Sequence, residues 1–267
     1  MSSNSLMDSV INAETRQDAC ETHGAYESTF ITLGGVNDWT KCPKCSAEKV
    51  ERDRDAEFAA IRQEAAQRRM EKMVGYACLP PRFANKTFDT YRADSDQQRK
   101  YLAKCRAYAD DFQSHLEAGE GMMLLGNPGT GKTHLAVATL NAIISQHRMP
   151  GLYTTAARMF RRIKDTYGRS EESESQAIEA FTKPALLVLD EIGVSFGSDA
   201  ELNYLFDVMN ERYEQCMPTI VVSNVQPAEL GQWMGERVVD RLRECSKLMV
   251  FDWESARREI GQGVNHA

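Results

Sequence analysis

From about residue 95 onward, short apolar runs alternate with longer stretches of helical periodicity. Met122–Leu125, Gly151–Thr154, Ala185–Leu189, Thr219–Ser223 and Leu248–Asp252 read as strands, and Gln97–Leu116, Leu135–Gln146, Ala156–Tyr167, Glu201–Gln215 and Gly235–Arg243 as helices. Strands alternating with helices imply parallel pairing and a layered α/β core, a parallel sheet flanked by helices. Upstream, residues 47 to 74 are rich in Ala, Glu, Arg, Gln and Lys, all good helix formers. Phe58, Ile61, Ala65 and Met73 give this stretch only a thin apolar stripe, so it reads either as a solvated linker helix or as a helix that docks on a partner. Pro80-Pro81 ends any helix there and marks a boundary. Residues 1 to about 48 carry too few apolar side chains for a core of their own. The expected organisation is an N-terminal module at 1–48, a charged helical linker at 49–78 and an α/β domain at 79–267, with no internal repeat.

A length of 267 residues suits one full domain plus a smaller module. No apolar run approaches the ~18 residues of a membrane span, and the opening MSSNSLMDSV lacks the basic start and apolar stretch of a signal peptide. A cytoplasmic protein without a membrane partner is the expectation. The formal net charge of −7 means that any nucleic-acid contact must come from a local basic patch.

Two segments carry phosphate chemistry. Gly126-Asn127-Pro128-Gly129-Thr130-Gly131-Lys132-Thr133 matches G-x-x-x-x-G-K-[ST] between a strand and a helix, the context the motif needs. Its backbone N–H groups and the helix N-terminus suit an anionic phosphate, with the nucleotide-contacting run extending through His134. Lys132 is expected on the β- and γ-phosphates of ATP, and Thr133 on Mg²⁺. Leu186–Leu189 delivers Asp190 and Glu191 at the C-terminal end of a buried strand, Asp190 to hold Mg²⁺ through water and Glu191 to orient the attacking water. Thr219–Ser223 ends in Asn224, placed either to contact water or the γ-phosphate, or simply to terminate the strand in a turn.

Of the seven cysteines, Cys78, Cys105, Cys216 and Cys245 are scattered, whereas Cys20-x₂-His23 and Cys42-x₂-Cys45 form two short-spaced pairs. Such pairs can close a tetrahedron around Zn²⁺ and leave no open position, which makes the expected site structural. The metal would supply folding energy that an apolar-poor segment lacks. Arg158, Arg161, Arg162 and Lys164, with Tyr167, cluster on one expected helix. They read either as a track for single-stranded DNA or as a solvated helix with Met159, Phe160 and Ile163 packed inward; Arg212 and Tyr213 are weaker contributors.

These motifs in this order resemble AAA+ ATPases, and most closely the helicase loaders of the DnaC type and the related IstB-type transposition ATPases. Leu79-Pro-Pro-Arg-Phe and Thr87-Phe-Asp-Thr-Tyr91 resemble the segment that leads into the ATPase core. Gly235-Glu-Arg-Val-Val-Asp-Arg-Leu242 and Val250-Phe-Asp-Trp253 resemble the loader C-terminus. The resemblance implies a P-loop AAA+ core, slow ATP hydrolysis used as a switch, a replicative DnaB-type helicase and single-stranded DNA as partners, and a homo-oligomer or helicase-bound spiral. It also implies an arginine reaching a neighbouring subunit's γ-phosphate, Arg241 first and Arg237 one turn away second, although either also reads as a salt-bridging surface residue. The helical lid of many AAA+ proteins is expected to be absent. A zinc module is similar to those of many phage and prophage loaders. Two other functions fit the same sequence: a transposition helper acting on duplex DNA, and a zinc-stabilised adaptor that binds ATP with little hydrolysis.

Overall fold

The computed structural model describes residues 14–33, 36–168, 172–193 and 198–256, without the side chains of residues 33 and 36 and of part of the stretch 63–76. The signal-peptide reading of the N-terminus and the expected absence of a lid concern residues outside these. The chain divides into two compact units, residues 1–67 and 68–267.

In the first unit β1 (Thr15–Cys20), β2 (Gly24–Leu33) and β3 (Val36–Trp39) form an antiparallel sheet in that order. The β1–β2 hairpin closes at Cys20↔Gly24, where Gly24 takes a left-handed φ of 79°. Phe30 and Trp39 face each other across β2 and β3 in an edge-to-face pair, and Arg16 lies over the Trp39 ring. The long helix α1 (Pro43–Tyr76) begins in this unit with proline in its first turn, earlier than residue 47. Phe58 and Ile61 are exposed on it.

The second unit continues with α2 (Pro81–Ala84), α3 (Asp96–Asp110), α4 (Phe112–Ala118), β4 (Gly121–Gly126), α5 (Lys132–His147), β5 (Gly151–Thr155), α6 (Ala156–Asp165), α7 (Glu174–Thr182), β6 (Leu186–Ile192), α8 (Asp199–Glu214), β7 (Thr219–Ser223), α9 (Leu230–Met234), α10 (Glu236–Cys245) and β8 (Ser246–Phe251). The strands pair in parallel in the order β5-β6-β7-β4-β8. Alternate strand residues face opposite sides. Met122, Leu124, Leu186 and Val188 pack with α3 and α5, while Met123, Leu125, Leu187 and Leu189 pack with α6, α7, α8 and α10. Both faces are covered, so the strands read as continuous apolar runs.

The helix expected over Gln97–Leu116 is two. Backbone dihedrals of −106° and 32° at Asp111 end α3 and start α4, which turns Phe112 fully into the core. Helix α7 was not expected, although Ser173 and Gln176 close a capping box at its start.

Arg212 is not a DNA contact. It is 1% exposed and donates to Thr219 Oγ1 at 2.8 Å and to the carbonyls of Phe181, Thr182, Pro184 and Pro218 at 3.0, 3.1, 2.9 and 2.5 Å. It thereby ties the α7–β6 turn to the start of β7. Arg212→Met strips donors from these buried carbonyls and is expected to cost about 3 kcal/mol or more. An unchanged urea midpoint would contradict this structural role.

Candidate functional site

The phosphate loop follows β4 because its glycines take conformations closed to other residues. Gly126 has φ 121°, and a Cβ there would stand 2.3 Å from the Phe251 carbonyl oxygen. Gly131 has φ 96° and caps α5; a Cβ there would meet the Tyr91 ring at 2.6 Å. The loop therefore presents backbone N–H groups and a helix N-terminus at the C-terminal end of the sheet. Lys132 is buried with its ammonium in the loop, donating to the carbonyls of Gly126 at 2.8 Å and Asn127 at 2.5 Å and lying 3.4 Å from Thr130 Oγ1.

Two neighbouring segments clasp the loop. Asn127 N donates to Phe251 O at 2.7 Å, Asn127 Nδ2 to Asp252 O at 2.9 Å, Trp253 Nε1 to Thr130 O at 3.1 Å and Ala256 N to Gly129 O at 3.1 Å. On the other side, Tyr91 packs edge-to-face on His134. His134 Nε2 lies 2.9 Å from Thr87 O and 3.2 Å from Thr90 Oγ1. Burial lowers the His134 pKa, which keeps this ring neutral beside the loop.

Thr133 Oγ1 donates to Asp190 Oδ2 at 2.9 Å, which brings loop and acid together. Asp190 is 5% exposed, and its other oxygen accepts the Glu191 N–H at 2.7 Å. Burial raises its pKa, while hydrogen bonds from Glu191, Thr133 and Tyr153 and the charge of Lys132 favour the ionised form. Glu191 has φ 60° and is exposed, at a pairing irregularity between Leu189 and Ile192. This sparsely populated conformation turns its side chain out of the sheet to solvent. Asn224 is exposed at the end of β7, beside Ser223, whose hydroxyl donates to Ile192 O at 2.6 Å.

The two arginines of α10 differ. Arg237 is exposed. Arg241 is half-buried over the rings of Phe206 and Tyr213 at 5.5 and 5.1 Å, and its buried Nη1 has no hydrogen-bond partner among the described residues. Tyr213 donates its hydroxyl to Glu244 at 2.8 Å. On α6, Arg162 pairs with Glu172 and Lys164 with Glu201, each at 2.6 Å, and the Tyr167 hydroxyl lies 2.6 Å from that of Tyr204. Arg158 and Arg161 are exposed and make no ion pair among the described residues.

In the first unit Cys20 and His23 flank the hairpin turn, Cys42 immediately precedes α1 and Cys45 lies in its first turn. Their ligand atoms all lie within 4.8 Å of one another. Cys20 Sγ is 3.4 Å from Cys45 Sγ, and His23 Nδ1 is 3.3 Å from Cys45 Sγ and 3.8 Å from the sulfurs of Cys20 and Cys42. Tetrahedral zinc needs edges of about 3.5–3.8 Å, from its bond lengths to sulfur and nitrogen, and the cluster fits. The other ring nitrogen of His23 lies 2.9 Å from Glu48 Oε1, an arrangement that fixes Nδ1 as the ligand atom. Backbone N–H groups of His23 and Thr22 draw the Cys20 thiol down, while the hydrogen bond with Cys20 pushes Cys45 up.

Over residues 52–260 the chain matches the family described as IstB-like ATP binding protein. The chain belongs to this family. It is 31% identical over 203 residues to the replicative helicase loader DnaC of Escherichia coli strain K12, covering 76% of this chain and 81% of that protein. Identity to the replicative helicase loader DnaC of Buchnera aphidicola subsp. Acyrthosiphon pisum is 30% over 212 residues, 79% of this chain and 84% of that one. A crystal structure of the DnaC helicase loader superposes with a TM-score of 0.60 at 28% identity, covering 65% of this chain and 100% of that chain. The second unit is accordingly the P-loop core of an AAA+ ATPase of the DnaC/IstB type, a protein that binds ATP. The family match begins downstream of the four Cys/His ligands. No described helix is long and apolar enough to cross a membrane.

The sequence missed three contributors to the site. Tyr153, on β5, donates its hydroxyl to Asp190 Oδ2 at 3.0 Å. Tyr91 and Trp253 brace Thr130 and Gly131, and their only sequence signal was membership of segments that resembled the family.

Proposed function

We propose that this AAA+ ATPase delivers a hexameric replicative helicase of the DnaB type onto single-stranded DNA in the cytoplasm, with ATP binding and hydrolysis as the switch between assembly and release. The observation that carries this reading is the joined phosphate site, Thr133 hydrogen-bonded to Asp190 beside Lys132, within a chain 31% identical to a replicative helicase loader. Loop residues Gly126 to Thr133 and His134 bind the nucleotide, Thr133 and Asp190 hold Mg²⁺, and Glu191 and Asn224 orient the attacking water. Bound Mg²⁺ supplies charge neutralisation at the transferring phosphoryl group. In an oligomer or helicase-bound spiral, an α10 arginine reaches the adjacent subunit's nucleotide. Arg241 is the first candidate for that role, and Arg237, which is exposed, is the second.

Single-stranded DNA runs along α6 through Arg158 and Arg161, the two basic residues of that helix without ion pairs among those described. The N-terminal module at 1–48 binds structural Zn²⁺ through Cys20, His23, Cys42 and Cys45, and the linker at 49–78 joins it to the ATPase domain at 79–267.

The full chain, mixed with a replicative hexameric helicase with and without ATP, is expected to co-elute with it and to shift it onto a single-stranded DNA substrate only when ATP is present. Absence of any complex in either state sinks the proposal. Preferential ATP-dependent binding to duplex DNA would instead favour a transposition helper.

A further inference from the structure

Asp190 Oδ2 accepts two hydroxyl hydrogen bonds, from Thr133 on α5 and from Tyr153 on β5. The two donors are not equivalent. Thr133 stands in the motif position whose hydroxyl is drawn to Mg²⁺ when nucleotide is bound. Tyr153 has no such alternative. It is 3% exposed, its ring packs edge-to-face on Phe83 with centroids 5.7 Å apart, and its backbone N–H donates to Ala77 O at 2.9 Å. Its partner is a carboxylate oxygen, an acceptor, so the Tyr153 hydroxyl is the donor of the pair. β5 pairs with β6 in the register Thr155↔Asp190, which lets the bulky ring two residues earlier reach the acid from the edge strand.

We propose that Tyr153 is the positioning residue for Asp190: it holds the carboxylate for Mg²⁺ once Thr133 has turned its hydroxyl to the metal. This rests on the reading of Thr133 and Asp190 as the Mg²⁺-holding pair. Among the described residues the Tyr153 hydroxyl bonds Asp190 and no residue of the phosphate loop. Its effect is therefore on metal dependence and not on the phosphate loop.

The test is Tyr153→Phe in the full-length chain, which keeps the ring and removes only the hydroxyl. Binding of a fluorescent ATP analogue is titrated against Mg²⁺ and repeated in excess chelator, and thermal unfolding is followed in parallel. Half-maximal Mg²⁺ should rise about tenfold or more, the scale of one hydrogen bond to a charged group, while the Mg²⁺-free affinity stays within about twofold. In an Asp190→Asn background the same substitution should add nothing. A Mg²⁺ curve that superimposes on the unsubstituted protein overturns the proposal. So does a loss of Mg²⁺-free affinity together with early melting, which would make Tyr153 a packing residue. If the unsubstituted protein itself binds nucleotide without regard to Mg²⁺, the Thr133–Asp190 reading fails and this inference with it.

Discussion

Lys132→Ala is expected to weaken ATP binding at least about a hundredfold while leaving the unit folded. Two charge-assisted contacts to phosphate oxygens would be lost, at about 1.5 kcal/mol each, and 1.4 kcal/mol is a factor of ten. Folding should survive because the ammonium donates to loop oxygens, while the loop's shape is held from both sides by Asn127, Trp253, Ala256 and Tyr91. Glu191→Gln is the contrasting variant. Glu191 is exposed and accounts for none of the bonds that shape the loop, so its loss should leave ATP affinity within about threefold and remove most of the turnover, as the loss of one positioned base does. Equilibrium binding of labelled ATP and phosphate release in the presence of helicase and single-stranded DNA separate the two. ATP affinity retained in Lys132→Ala would displace the nucleotide from this loop altogether.

Much of the ATPase unit was legible because of where its strands lie. A parallel sheet covered on both faces makes each strand a continuous apolar run, and Leu186–Leu189 or Ile220–Val222 cannot be mistaken for solvent-facing segments. The phosphate loop was legible because its chemistry is local: a few adjacent residues set the backbone that binds the anion. What stayed hidden depends on pairing register and on burial. Tyr153 stands 37 residues before Asp190, and only the β5–β6 register brings its hydroxyl to that carboxylate. Arg212 has the composition of a surface cation and becomes a buried tie because the carbonyls of Phe181 through Pro218 converge on it. On α6 the basic cluster was visible, but its partners Glu172 and Glu201 lie 10 and 37 residues away, so pairing could not be read from the cluster itself.

Removing the proposed zinc should have its largest effect on the first unit. Its small sheet offers Tyr26, Phe30 and Trp39 as aromatic packing and Ser28 as a fully buried polar residue, too little for independent stability. Structural zinc contributes on the order of 10–16 kcal/mol in comparably small modules, as much as the whole stability of a typical domain. Freshly purified protein is therefore expected to hold about one equivalent of zinc, and chelation or Cys42→Ser should abolish the dispersed sheet resonances of β1, β2 and β3. Glu48→Gln keeps all four ligands and disturbs only the orientation of His23, so it should lower zinc affinity about 10–100-fold without unfolding the metal-saturated form. ATP affinity should change less than about twofold in both variants, because the contacts that shape the phosphate loop among the described residues, from Tyr91 to Ala256, lie within the second unit. Intact sheet resonances in protein proven free of zinc would show that hydrogen bonds among the four side chains suffice, and would remove the metal from the account of this module.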